Sequence, residues 1–293
     1  MSYNIETGII TKGVGGRYTV SASGNMLNCS LDGKLRIGKI IPVPGDRVEV
    51  QKTHGSWHIS KVLDRKNYLI RPAVANIDQL FVVASNSSPK TDPYLIDKMS
   101  VISSVKDIDM ILLLNKSDLD RSDILYQIYS DAGFRVIRVS AKTGEGIDEI
   151  INLLEGKISA FTGNSGIGKS SILNLINPSF KITVGDISKK IERGKHTTRH
   201  VELLPFGEYG YVADTPGFSS FEITKMDKLD KAELQKHFPE IYKMTGNCRF
   251  TDCVHINEPD CPIKKYMELT QTRQSRYESY KKLFDELAQV NDY

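Results

Sequence analysis

The stretch KISAFTGNSGIGKSSILNLI, residues 157–176, decides the fold. Lys157–Thr162 reads as a buried strand, and 169–176 carries helical periodicity. Between them, Gly163-Asn-Ser-Gly-Ile-Gly-Lys-Ser170 fits G-x-x-x-x-G-K-[ST]. Glycines let the backbone wrap closely around phosphates with N–H groups pointing inward. The helix N-terminus adds partial positive charge. The spacing therefore predicts a nucleoside triphosphate site formed by Gly163, Asn164, Ser165, Gly166, Ile167, Gly168, Lys169, Ser170 and Ser171. Lys169 bridges the β and γ phosphates and acts in catalysis, and Ser170 ligates Mg²⁺. The bland alternative is a Gly-rich turn at a helix start; the strand before it and the helix after it argue against that.

Upstream, the apolar runs Gln79–Ala84, Met110–Leu114 and Phe134–Val139 alternate with helical patterns near 93–106, 120–132 and 147–156. Such alternation implies a parallel sheet covered by helices. Asn115-Lys-Ser-Asp118 follows the second run directly. A carboxylate at Asp118 accepts hydrogen bonds from guanine N1–H and the 2-amino group. Adenine offers neither and would leave a buried charge unpaired. Asn115 meets the other base edge, the Lys116 stem covers the ring face, and Ser117 completes the segment. Ser140-Ala141-Lys142 follows the next strand, where backbone N–H groups can meet guanine O6. Either motif alone is weak, and N-K-x-D also suits a helix N-cap. Their placement on consecutive strands, beside a P-loop, points to guanine.

Downstream, Asp214-Thr-Pro-Gly217 follows a strand at Tyr209–Ala213, paired with another at Val201–Pro205. Asp214 suits Mg²⁺ through water, and the Gly217 N–H suits the γ-phosphate. Gly194-Lys-His-Thr-Thr-Arg199 supplies a switch threonine for Mg²⁺; Thr198 is favoured over Thr197. Phe218 stands where many GTPases carry a water-positioning glutamine, so unaided turnover should be slow. His196 is the nearby candidate to orient water; the competing reading is a solvated loop residue. The motif order is unusual, because the base motifs precede the P-loop. The set is circularly permuted, which joined termini and a new break elsewhere allow.

Cys248, Cys253, His255 and Cys261 read C-x₄-C-x-H-x₅-C, a filled Cys₃His set suited to one structural zinc. Cys29 stands apart and should simply be packed. The tail from about Ile263 to Val290 reads as one charged helix. It interleaves Arg273, Arg276, Lys281 and Lys282 with Tyr266, Tyr277 and Tyr280. A solvated amphipathic helix and an RNA-contacting one both fit.

Residues 1 to about 63 carry five short alternating runs separated by Gly, Asn and Pro, which suggests a small closed barrel of the OB type. This segment holds Lys12, Arg17, Lys34, Arg36, Lys39, Arg47, Lys52 and Lys61 against Glu6, Asp32, Asp46 and Glu49. The chain's whole net charge is +3, so the positive excess sits on the barrel. With Tyr18, Trp57, His54 and His58 it suits nucleic acid; a solvated surface with Trp57 in the core is the alternative. Residues 64–78 read as a linker. A length of 293 residues suggests about two domains; the motifs argue for three. Hydrophobic residues at 40% and charged ones at 26% exclude global disorder. No apolar run approaches the roughly 20 residues of a membrane span, and the N-terminus lacks a signal-peptide pattern. A cytoplasmic monomer is expected.

Taken together, the barrel, N-K-S-D and S-A-K-T-G ahead of G-N-S-G-I-G-K-S, then H-T-T-R, D-T-P-G-F and the Cys₃His set resemble the bacterial RsgA family (also called YjeQ or YloQ) over essentially the whole chain. The resemblance implies a multi-domain fold. Its parts are an OB-fold RNA-binding barrel (1–65), a circularly permuted α/β P-loop GTPase (66–222), and a small, mostly helical zinc module (223–293). It implies a GTPase using GTP with Mg²⁺, bound to the 30S subunit and 16S rRNA, acting late in small-subunit maturation and stimulated by that subunit. A regulatory GTPase with protein partners only, and a non-hydrolysing RNA clamp, are the rival readings.

Overall fold

The structure, a computed structural model, describes residues 5–36, 40–70, 72–180, 182, 201–214 and 229–291. The first five strands are β1 (Ile5–Val14), β2 (Arg17–Ala22), β3 (Asn25–Leu31), β4 (Arg47–Thr53) and β5 (Ser56–Val62), with a short helical turn α1 (Gly33–Arg36). They pair in the order β1-β2-β3-β5-β4, and β4 returns to β1, so the barrel closes. Two-residue turns at Ser23-Gly24 and His54-Gly55, both residues at positive φ, match the right-handed strand twist. A bulge in β1 between Ile10 and Lys12 bends it. Alternation along β2 and β4 sends Tyr18, Val20, Ala22, Val48 and Val50 inward, around Ile10, Cys29 and Ile59. Cys29 is packed as expected. Tyr18 is a core residue and cannot serve as an exposed stacking platform.

The segment read as a linker is a built junction. It contains a hairpin, β6 (Tyr68–Ile70) with β7 (Ala73–Ala75). Arg65 forks onto the fully buried Asp46, with Nε–Oδ1 at 2.6 Å and Nη2–Oδ2 at 2.8 Å. Asn67 and Asn76 bond buried backbone at Ile77 and Gly45. Little periodicity suggested a linker; here the segment's polar groups find buried partners.

The next sheet is mostly parallel: β8 (Gln79–Ala84), β9 (Asp109–Leu114), β10 (Arg135–Arg138) and β11 (Ile158–Thr162), then the hairpin β12 (Glu202–Phe206) and β13 (Gly210–Asp214). Its order is β10-β9-β8-β11-β13-β12. Alternate residues feed two cores. Leu80 and Val82 face α2 (Pro93–Val105) and α3 (Ile124–Asp131). Phe81 and Val83 face α4 (Ile147–Leu154) and α5 (Lys169–Ile176). β1 also pairs with β12 at Lys12↔Glu202, joining barrel and parallel sheet edge to edge.

The C-terminal part holds a 3₁₀ helix (Lys231–His237), then α6 (Pro239–Tyr242), α7 (Pro262–Met267) and α8 (Gln271–Asn291). The single expected tail helix is two, interrupted at 268–270. Neither reading of that tail holds for its centre. Arg276, Tyr277 and Tyr280 are buried, with Phe238, Leu283 and Leu287, in the core shared with α2 and α3.

Candidate functional site

Strand order reverses between β8 and β11: the chain runs β8, β9, β10 one way, then crosses back to β11 and onward. Ligands of such sheets bind outside the carboxyl ends at this switch point. Gly163–Ser170 lies there, after β11 and running into α5. Gly168 has φ +99°, and a Cβ on it would stand 2.2 Å from Asn115 Nδ2. That nitrogen donates to Ile167 O at 2.7 Å, so the base motif is bonded to the P-loop itself. Ser170 is buried at the start of α5, and Lys169 precedes it at the helix N-terminus.

Ends of β9 and β10 carry the two base segments. Asn115 Oδ1 accepts from Ala141 N–H at 3.1 Å. Ser140 Oγ donates to Asp118 Oδ1 at 2.7 Å and accepts from the Lys142 and Thr143 N–H groups. Lys142 Nζ stands 4.0 Å from Asp118 Oδ2, whose side chain is only 16% exposed. Lys116 sits at φ +66° with Nζ donating to Ser88 O. Asn115, Lys116, Asp118, Ala141, Lys142, Gly166, Gly168 and Ser171 line one cavity of about 410 Å³, with Leu119 at its edge. Thus the P-loop and both base segments, distant in sequence, border a single space. Ser117 and Ser140 are buried behind it.

Asp214 closes β13. His196, Thr197, Thr198, Gly217 and Phe218 lie outside the described residues.

The four metal-type side chains converge. His255 Nδ1 lies 3.5, 3.1 and 3.5 Å from the sulfurs of Cys248, Cys253 and Cys261. Cys261 Sγ is 3.7 and 3.8 Å from the other two sulfurs. Tetrahedral zinc, with Zn–S about 2.3 Å and Zn–N about 2.0 Å, requires edges of about 3.8 Å and 3.5 Å. The donor set fits that ion. Burial pushes the Cys248 and Cys253 thiols up and the His255 imidazole down. A cation would offset the cost of holding thiolates there, while the neutral imidazole is already the ligating form. His255 Nε2 is bonded to Gln235 Oε1 at 2.8 Å, which orients the ring.

What the sequence did not reveal is how this cluster is docked. Tyr277 and Tyr280 hydroxyls donate to His255 O (2.6 Å) and Val254 O (2.8 Å). One turn away, Arg276 Nη1 bonds Asp97 Oδ1 of α2 at 2.6 Å, and its Nε bonds Glu240 Oε1 at 2.8 Å. The guanidinium lies against Phe238, Phe134 and Tyr129. An Asp in an apolar helix and an Arg 179 residues later carry no local signal of pairing.

On the barrel, several of the cations counted as a positive excess are partnered: Lys12 with Glu202 (2.7 Å), Lys61 with Glu49 (3.9 Å). Lys52 stands over half-buried Trp57 at 5.9 Å, and His58 bonds Ser30.

The RsgA GTPase family model matches residues 62–224, and the RsgA N-terminal domain model matches 7–56. The chain belongs to the RsgA GTPase family. The "Small ribosomal subunit biogenesis GTPase RsgA" of Caldanaerobacter subterraneus subsp. tengcongensis is 40% identical, covering 96% of this chain and 95% of that protein. The protein of the same name from Thermotoga maritima is 42% identical, covering 90% of each. Among solved structures, YjeQ from Thermotoga maritima superposes with TM-score 0.81 at 37% identity, covering 97% of this chain and 99% of that one. YloQ, a circularly permuted GTPase, gives 0.79 at 31%, covering 98% of this chain and 96% of that one. As an RsgA-family member the chain is a GTPase, and the inverted motif order is the family's permutation. Among the described residues no helix is long and apolar enough to cross a membrane.

Proposed function

We propose that this GTPase takes part in biogenesis of the small ribosomal subunit, binding the 30S particle and its 16S rRNA late in maturation as a monomer. The observation that carries this is near-full-length similarity to proteins named for that role, on a chain whose P-loop and guanine segments border one cavity. Residues 1–65 act as the RNA-binding barrel, with the Lys52–Trp57 pair as its contact. Residues 66–222 bind and hydrolyse GTP, and 223–293 form the zinc module. Asp118 and Asn115 read guanine; Gly163–Ser171 hold the phosphates. Ser170 and Thr198 would hold Mg²⁺, with Asp214 acting through water, and the ion would supply charge neutralisation on the β and γ phosphates. Lys169 stabilises the same charge, Gly217 senses the γ-phosphate, and His196 orients the attacking water. Cys248, Cys253, His255 and Cys261 hold one structural zinc. Because residues 215–228, which begin with the second switch, join β13 to the zinc module in sequence, nucleotide state is coupled to that module.

The test is multiple-turnover phosphate release with and without purified 30S subunits, across a salt series. Stimulation that falls with salt is expected. Equal rates with and without subunits would remove the ribosomal assignment and leave a GTPase of other partners.

A further inference from the structure

We propose that Glu145 is a specificity-determining positioning residue of the guanine site, clamping the two base-reading segments into one receptor. It rests on the base-site reading above. Glu145 does not line the nucleotide cavity, yet it reaches both segments. Ser117 Oγ, in the first segment, donates to its Oε2 at 2.7 Å. Ser140 N–H, in the second, donates to its backbone carbonyl at 3.1 Å. Arg121 Nη2, three residues beyond Asp118, donates to its Oε1 at 2.7 Å. Ser117 is 4% exposed while the Glu145 side chain is 33% exposed, so the bond is anchored in the interior at its hydroxyl and open to solvent on the carboxylate side. The Ser117 and Arg121 bonds both hold the Glu145 carboxylate below its usual range, so it is ionised whenever the site works.

The backbone around Glu145 is built to deliver it. Gly146 sits at φ +77°, and a Cβ there would lie 2.3 Å from Arg138 O. Only glycine lets the chain pass β10 this closely and turn the Glu145 carboxylate back toward Ser117. The consequence falls on Asp118, adjacent to Ser117. Its Oδ1 is held by Ser140 Oγ, and Ser140 is held by Glu145. Two separate segments, the one after β9 that carries Ser117 and the one after β10 that carries Ser140, are therefore tied to a single residue. Guanine recognition needs Asp118 placed to within a few tenths of an ångström, because two hydrogen bonds to one base edge are lost together when it tilts.

The experiment uses full-length, zinc-loaded protein and fluorescent GDP and IDP analogues, with steady-state GTP turnover alongside. IDP lacks the 2-amino group, so the GDP:IDP affinity ratio reports Asp118 placement. Glu145→Ala should weaken GDP about 10-fold or more, as expected for a lost hydrogen bond to a charged group. It should lower the GDP:IDP ratio and raise KM for GTP while kcat stays within about twofold. Glu145→Gln, which still accepts from Ser117, should restore most of the ratio. A Glu145→Ala protein with an unchanged ratio overturns the proposal, even if both affinities fall, since a merely structural loss weakens GDP and IDP alike. Should Glu145→Ala not fold, Ser117→Ala removes the same bond and is read the same way. Asp118→Ala separates the two levels. If it collapses GDP affinity while Glu145→Ala leaves the ratio intact, only the clamp fails. If it leaves GDP affinity untouched, the base-site reading fails as well.

Discussion

Arg276→Met is the sharpest test of how the zinc module is held. Methionine keeps most of the side-chain length and apolar contact but removes the guanidinium. That leaves Asp97, fully buried, without its cation, and Glu240, 10% exposed, without the same partner. Removing one member of a buried ion pair costs about 3–5 kcal/mol. Because α8 carries Arg276, Tyr277 and Tyr280 within two turns, the loss should appear first as opening of α8 from α2. At about 1.4 kcal/mol per tenfold, amide exchange in α8 should quicken by about two to three and a half orders of magnitude. Strands β8 and β11, which do not touch the network, should keep their protection. Tyr277 and Tyr280 brace the His255 and Val254 carbonyls, so zinc release to a chelator should quicken too. The pH dependence has a definite sign. Burial already holds the Asp97 carboxyl above its usual value, with Arg276 opposing it. Without Arg276 it rises further. A raised carboxyl binds its proton more tightly when folded, so the penalty is absent well below the unfolded value of about 3.9 and grows as pH rises through the folded one. The variant's deficit should therefore be smaller at pH 5 than at pH 8. Exchange in α8 altered by less than about threefold, at both pH values, would refute the claim that this pair docks the module.

Gly168→Ala forces a Cβ against Asn115 Nδ2 at a φ alanine rarely adopts; GDP binding by fluorescence titration should weaken about 10- to 100-fold, and the melting temperature should fall by a few degrees for about 1–2 kcal/mol of backbone strain. Cys253→Ser should lower zinc content well below one per chain by elemental analysis and release 248–261 from protection, while nucleotide binding persists. Trp57→Ala on the barrel should weaken binding to single-stranded RNA by about 1–3 kcal/mol, and Lys52→Ala should reduce the salt slope by about one. A gel-shift series over salt reads both.

Legibility in the sequence followed locality. The P-loop, N-K-S-D and S-A-K are contiguous strings on single strand ends, and each turned up where the pattern placed it. The four zinc-type ligands lie within 14 residues, so spacing alone brought them together. Barrel strands were readable because alternation along β2 and β4 is a local property of a pleated, half-buried ribbon. What failed was non-local. The 64–78 junction looked like a linker because it has little periodicity, and nothing nearby shows that Arg65 and Asn76 will bond Asp46 and Gly45. The tail looked solvated because its charges nearly cancel in sequence. Its centre is in fact an apolar interface carrying one arginine, whose partners are on α2 and α6. Tyr18 failed for a related reason: its polar tip allowed an exposed reading, and only closure of the barrel turned it inward.

The permutation explains why the site could be read despite the broken motif order. The cavity is bordered by segments at the carboxyl ends of β9, β10 and β11, which lie close together in the sheet order β10-β9-β8-β11. Those ends are joined by bonds such as Asn115 Nδ2 to Ile167 O and Ala141 N–H to Asn115 Oδ1, none of which follows the chain direction. Which strand comes first in sequence affects only where the ends emerge. Here that freedom puts the barrel before β8 and the zinc module after β13. Both appendages are then anchored on the parallel-sheet domain, the barrel at its β12 edge and the zinc module on α2. The barrel holds the β12 edge through Lys12 and Glu202, an exposed pair that contributes little by itself. The zinc module holds α2 through a buried one. The exposed edge pair is the weaker contact, but the barrel is also held at the 64–78 junction, where Asn76 Nδ2 donates to Gly45 O and Ala75 N–H to Pro44 O. Mild denaturant should therefore loosen the Lys12–Glu202 edge while both appendages stay on the core.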